Sequence, residues 1–76
     1  MTTHEETRIL HYLRTHTPAR VSDILKSCLP GATREWGNRI ISDLEWLGYV
    51  TVYYARSGDP IALEITTKGM TLGRSG

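Results

Sequence analysis

An α+β fold, with a three-helix core followed by a two-stranded β-hairpin, is what this 76-residue sequence predicts. Three observations carry the prediction. Before Gly48 the apolar residues recur at helical spacing in three blocks, each bounded by capping or breaking residues. Beyond Gly48 the apolar period drops to two. Between the two β-rich segments stands Arg56-Ser57-Gly58-Asp59-Pro60, a concentrated run of turn residues.

Helix one is expected from His4 to Thr15. Thr3 and Glu6 have capping-box spacing, Ile9, Leu10 and Leu13 form an apolar stripe with Tyr12 beside it, and Pro18 closes the segment. Ala19-Arg20-Val21 then reads as a short extended stretch. Ser22 is expected to cap a second helix, with Asp23 in the first turn where its charge suits the helix dipole. Ile24, Leu25 and Cys28 are its apolar side, and Leu29-Pro30-Gly31-Ala32 breaks it.

Thr33 is expected to cap a third helix that runs to Leu47, with Gly48 as a left-handed stop. The strands are expected over Tyr49–Ala55 and Ile61–Thr66, where Ile61, Leu63 and Ile65 alternate with Ala62, Glu64 and Thr66. Thr66 to Leu72 reads as a short last helical turn weakened by Gly69, and residues 1–3 and 73–76 are expected to fray. Helices two and three with their short turn form a helix-turn-helix, and the hairpin after them is its wing.

The third helix sets the problem of the sequence. In TREWGNRIISDLEWLGYV a glycine stands inside a helical pattern, at a cost of about 1 kcal/mol relative to alanine. Turning each residue by about 100° puts Thr33, Trp36, Gly37, Ile40, Leu44 and Leu47 on one side, flanked by Ile41. Arg34, Glu35, Asn38, Arg39, Ser42, Glu45 and Trp46 fall on the other. Gly37 therefore belongs to the packed side, where a missing side chain is expected to let another backbone come close, the approach that a helix-turn-helix requires between its two helices. Trp46 is large and apolar on the outer side; it is expected to pack under helix one or the C-terminal turn, or else to mark a dimer interface. Tyr53 and Tyr54, adjacent on a strand, are expected to face opposite ways, one into the core.

Composition bounds the function. The chain is 39% hydrophobic and 22% charged, which describes a single globular domain. A domain of this length buries only about 60% of its unfolded surface, so a deep catalytic cavity is not expected. No apolar run is long enough to cross a membrane, and the polar start MTTHEETRIL resembles neither a signal nor a transit peptide. One cysteine, Cys28, is consistent with a reducing, cytoplasmic setting. Nine Lys and Arg against eight Asp and Glu leave a net charge of +1. That is not the bulk positive charge of a non-specific nucleic-acid binder, so recognition of DNA must come from local placement of arginines.

Catalytic and metal motifs are absent. His4-Glu5 opens like a zinc-protease motif, but Arg8 stands where the second histidine is needed. His11 and His16 lack the spacing and partners of metal ligands, and Cys28 reads as a small core residue. No phosphate-binding glycine loop occurs. No enzyme activity, cofactor or metal is expected.

Val21-Ser22-Asp23-Ile24-Leu25 opening helix two, Leu44-Glu45-Trp46-Leu47-Gly48-Tyr49-Val50 leading into the hairpin, and Ile65-Thr66-Thr67-Lys68-Gly69 after it resemble the winged helix-turn-helix domains of small bacterial or phage regulators of the MarR, PadR and ArsR type. The resemblance implies binding to double-stranded DNA, with helix three in the major groove and the wing on an adjacent minor groove or backbone. Transferred to this chain, the base-reading residues are Thr33, Arg34, Asn38, Arg39 and Ser42, and Arg56 is the wing contact. Arg and Asn suit that role because they form bidentate hydrogen bonds to base edges, each worth about 1–3 kcal/mol of discrimination. On a generic helix the same arginines would read as a solvated face paired with Glu35 and Asp43; the order of the motifs favours contact. Arg20, Lys26 and Lys68 are candidates for phosphate contacts.

The sequence departs from that pattern in Glu35, Asp43 and Glu45 on helix three and Asp59 in the wing. These acids, with Trp46 and Tyr54, keep a second reading open: a winged-helix module that binds a protein and not DNA. A homodimer is also compatible with the sequence, although a long dimerisation helix after Leu72 and a separate effector domain are not expected.

Overall fold

The computed structural model describes residues 4–75, with side chains described through residue 72. The expected capping box of Thr3 with Glu6 and the expected fraying of residues 1–3 lie outside the described residues. The order of elements is α1 (His4–Leu13), β1 (Ala19–Arg20), α2 (Val21–Cys28), α3 (Arg34–Trp46), β2 (Val50–Tyr54), β3 (Pro60–Ile65) and α4 (Thr67–Ser75). The three strands form an antiparallel sheet in the order β1-β3-β2. This is an α+β winged helix-turn-helix, as the sequence predicts.

The core lies where α1, α2, α3 and the inner face of the sheet meet. Ile9, Leu10 and Leu13 come from α1, Val21, Ile24 and Cys28 from α2, and Ile40, Ile41 and Leu44 from α3. Val50, Val52 and Leu63 close it from the sheet. Each set follows the period of its element, so burial of one apolar face is what orients each helix.

Two boundaries depart from expectation for identifiable reasons. Helix α2 begins at Val21, not behind a Ser22 cap; Arg20 holds the capping position in extended geometry (φ −74°, ψ 143°) and gives no side-chain cap bond. Arg20 is fixed there by pairing with Ala62 across the sheet, so the chain passes from strand straight into helix. Helix α1 stops at Leu13, two residues short of Thr15, as the Thr15 and His16 amides both turn back onto the Tyr12 carbonyl. The ends of α3 follow the sequence closely. The Thr33 hydroxyl accepts from the Trp36 amide at 3.1 Å, and Gly48 stops the helix at φ +84°, with the Tyr49 amide reaching back to the Leu44 carbonyl.

Four aromatic residues and one glycine behave differently from expectation. Trp46 is 87% exposed and packs under nothing among the described residues. Trp36 sits at the edge of the apolar stripe and is half exposed. Tyr53 and Tyr54 reach different elements, Tyr53 to Glu64 on the neighbouring strand and Tyr54 to Glu45 on α3, but neither enters the core: both are exposed at the distal end of β2. Gly69 does not reduce the last element to one turn. It lies buried in nine-residue α4, where an added Cβ would collide with the Tyr49 carbonyl oxygen, so glycine is what lets α4 dock on the base of the hairpin.

Candidate nucleic-acid interface

Helix α3 sorts its residues as the 3.6-residue period demands. Gly37, Ile40, Ile41 and Leu44 are buried, while Arg34, Glu35, Arg39 and Ser42 are exposed on the outward side. Gly37 faces the Leu25 side chain of α2, and a Cβ there would overlap its methyl groups. The close approach expected at Gly37 is thus to a side chain, not to a backbone. Among the described residues, Arg34, Arg39 and Arg56 make no ion pair.

Asn38 is half-buried, and its Oδ1 is fully buried without a hydrogen-bond partner. In this rotamer the amide presents one polar group outward, whichever way the amide is assigned, where bidentate recognition of adenine needs both. Thr33 spends an oxygen lone pair on the α3 cap and keeps its hydroxyl proton to donate.

Arg34 and Arg20 line one open cavity of about 430 Å³, between the start of α2, the start of α3 and the outer part of the wing. Ser22, Leu25, Pro60 and Ile61 contribute to the same walls. A residue assigned to bases and one assigned to phosphate thus share a single depression. Ser22 and Ile61 are not among the site residues that the sequence predicts, where one reads as a cap and the other as part of an alternating strand. Ile61 is half exposed because β3 extends beyond the core at that point.

Lys26 is exposed in the last turn of α2. Lys68 is differently occupied: its ammonium donates to the Leu47 carbonyl at 2.8 Å and lies 5.2 Å from the Tyr49 ring centre. It caps the C-terminus of α3, where a positive charge also complements the helix dipole.

The wing turn is closed by the Ala55 amide donating to the Asp59 carbonyl and the Gly58 amide to the Ala55 carbonyl, with Gly58 at φ +93°. The Ser57 hydroxyl donates to the Asp59 carboxylate at 3.2 Å, and Arg56 stands exposed beside them. Two tyrosines tie down acids on the way to that tip. The Tyr54 hydroxyl donates to Glu45 Oε1 at 2.6 Å, joining β2 to α3, and the Tyr53 hydroxyl donates to Glu64 Oε1 at 2.9 Å across the hairpin. These hydrogen bonds to a carboxylate are the main reason both phenols are held above the ordinary tyrosine pKa. No periodicity announces the Tyr54–Glu45 pair, since it joins a strand to a helix.

A second cavity, of about 630 Å³, runs along α1 and α2 past His4, Arg8, His11, Tyr12, His16 and Cys28. The rings of Tyr12 and His16 stack there at 4.3 Å. Among the described residues no three His, Cys, Asp or Glu side chains are grouped to hold a metal. Burial pushes the Cys28 thiol up in pKa, against the opposing effect of the Arg8 guanidinium, so the group is a poor nucleophile.

Several solved structures share this architecture. BpsR of Bordetella bronchiseptica, whose DNA binding is regulated by 6-hydroxynicotinic acid, superposes with a TM-score of 0.80 at 18% identity, over 97% of this chain and 51% of its own. The PcaV transcriptional regulator of Streptomyces coelicolor gives 0.79 at 19% identity, over 96% of this chain and 51% of its own. A Staphylococcus aureus MepR mutant bound to an oligodeoxyribonucleotide gives 0.78 at 22% identity, over 96% of this chain and 54% of its own. The shared fold is the winged helix. At these identities the likeness is one of fold, and the chain spans about half the length of each of these proteins. No protein-family model matches the winged-helix chain, and no curated protein matches it in sequence. No helix among its described residues is long and apolar enough to cross a membrane.

Proposed function

We propose that this domain binds double-stranded DNA with sequence preference, as a cytoplasmic transcriptional or phage-type regulator of the MarR, PadR and ArsR kind, and that it has no enzymatic activity. The observation that carries the reading is the outward side of α3: Arg34 and Arg39 project there without an ion pair among the described residues, beside a wing that presents Arg56. Known winged helices of this shape support it, one of them solved with an oligodeoxyribonucleotide.

In this reading α3 lies in the major groove. Arg34, Arg39 and Ser42 meet base edges, Asn38 offers one hydrogen-bonding group, and Thr33 donates from the start of the helix. Arg20 and Lys26 meet phosphate, and Arg56 reaches the adjacent minor groove or backbone. Lys68 contributes by bracing the end of α3. The experiment is a fluorescence-anisotropy titration against a random-site duplex library, first at low salt. Saturable binding that weakens in Arg34→Ala and in Arg39→Ala, each by about 5-fold to 150-fold on a selected duplex, supports the proposal. Absence of binding to any duplex at low salt ends it.

The 87% exposure of Trp46 favours a second role for the same fold, contact with a protein or with a second copy of the chain. Loss of self-association in Trp46→Ala, read by sedimentation, would support it; a monomer at every concentration would count against the second copy.

A further inference from the structure

The base of the hairpin is clamped to the end of α3. The Thr66 hydroxyl donates to the Gly48 carbonyl at 2.7 Å, the Thr66 amide donates to the Tyr49 carbonyl at 3.0 Å, and Lys68 holds the Leu47 carbonyl. On its far edge the hairpin is held by β1, whose pairing with β3 covers Leu63 and Ala62. Beyond those points the wing projects toward Arg56 with its register shifted at Tyr53 and Tyr54. Both tyrosine rings are exposed, and the Tyr54 hydroxyl reaches Glu45 on α3.

We propose that Tyr54 and Glu45 are a positioning pair, which fixes the angle of the wing against α3 and so sets where Arg56 meets DNA. This rests on the DNA-binding reading above. A lever argument gives the size of the effect. Val50 and Arg56 are about 20 Å apart along the strand at ~3.3 Å per residue, so a tilt of ~5° at the base moves the tip by ~2 Å. That displacement is enough to break a hydrogen bond or ion pair made at the tip. Glu45 lies two turns beyond Asn38 on the same flank of α3, so the tether ties the wing to the element that also carries the base-reading residues. Glu45 serves here as a hydrogen-bond acceptor, its side-chain oxygen taking the Tyr54 hydroxyl.

The test uses the whole chain and a duplex selected from the random library, together with a shortened duplex that ends before the wing footprint. Tyr54→Phe is expected to bind the full duplex about 3–10-fold more weakly than wild type and to match wild type on the shortened one. Arg56→Ala with Tyr54→Phe should be no weaker than Arg56→Ala alone, because the tether acts through Arg56. Glu45→Gln, whose amide oxygen still accepts from the phenol, should stay within about 2-fold of wild type. A Tyr54→Phe protein that binds the full duplex like wild type while Arg56→Ala is weakened overturns the pair; so does full additivity in the double variant. The DNA-free arm is independent of the reading. Residual dipolar couplings of the β2 and β3 amides, taken in the frame of α3, should change in Tyr54→Phe and not in Glu45→Gln, and unchanged couplings overturn the proposal. If wild type binds no duplex while the couplings shift as expected, the DNA reading fails and the tether stands.

Discussion

Two helix-interior glycines, one at the α2–α3 junction and one at the α4–hairpin junction, look alike in sequence and meet different neighbours. Gly37 faces the methyl groups of Leu25, a half-buried side chain with rotamers to spare. Gly69 faces the carbonyl oxygen of Tyr49, part of a backbone that also accepts from the Thr66 amide. The first junction is side chain against helix and can give. The second is backbone against backbone, and there is no rotamer to change. A glycine in a helix costs about the same at either place, so what it permits has to be read from the neighbour.

The largest effect should come from Gly69→Ala. Helix propensity returns about 1 kcal/mol, but overpacking against an immovable carbonyl costs ~3 kcal/mol or more, so a net loss of at least ~2 kcal/mol is expected in urea unfolding. A neutral result would mean that α4 is free to move off the hairpin, and the contrast between the junctions would collapse.

Gly37→Ala should cost less, from about 0 to 2 kcal/mol net, because Leu25 can turn aside. Shortening the neighbour sharpens the point: Leu25→Ala in the Gly37→Ala background should recover part of the loss, a coupling that a double-mutant cycle in urea reads directly. No coupling would place the strain elsewhere.

Lys68→Met keeps most of the apolar stem and removes the ammonium from the Leu47 carbonyl. The α3 C-terminus should lose about 1 kcal/mol, seen as a lower melting temperature and faster amide exchange at Gly48 and Tyr49. Equal exchange in both proteins would show that the backbone bonds of Thr66 hold the base by themselves.

The smallest effect is a titration at the distal wing, where side chains do the joining. Tyr53 and Tyr54 have folded-state pKa values raised by their carboxylate partners, so the stability these bonds contribute is present below the ordinary tyrosine value and is lost as pH rises through the raised ones. Phenolate absorbance should show Tyr54→Phe removing one late-ionising group. Glu45→Gln should move the Tyr54 titration down toward pH 10, the ordinary tyrosine value.

Much of this was legible in particular residues. Thr33 and Gly48 mark the ends of α3 because capping and left-handed stops are local chemistry, and Ile40 and Leu44 mark its buried side because a helix repeats every 3.6 residues. The exposed arginines of α3 follow from the same arithmetic. Trp46 and the tyrosines were not legible, for two reasons. A large apolar side chain on the outer side of a helix is buried only if a neighbour covers it, and alternation along β2 fixes the face each tyrosine takes without saying whether the core extends beneath it. Ser22 failed as a cap since strand pairing at Arg20, formed with a residue 42 positions later, chose the start of α2.

By itself, then, the sequence determined the element order, the helical faces and the hairpin, all set by interactions within a few residues. Tertiary structure alone decided which acids are held by tyrosines, that Arg20 and Arg34 share a cavity, and that Gly69 is a docking point for α4. Each of those depends on distance between segments remote in sequence, and local periodicity carries no information about it.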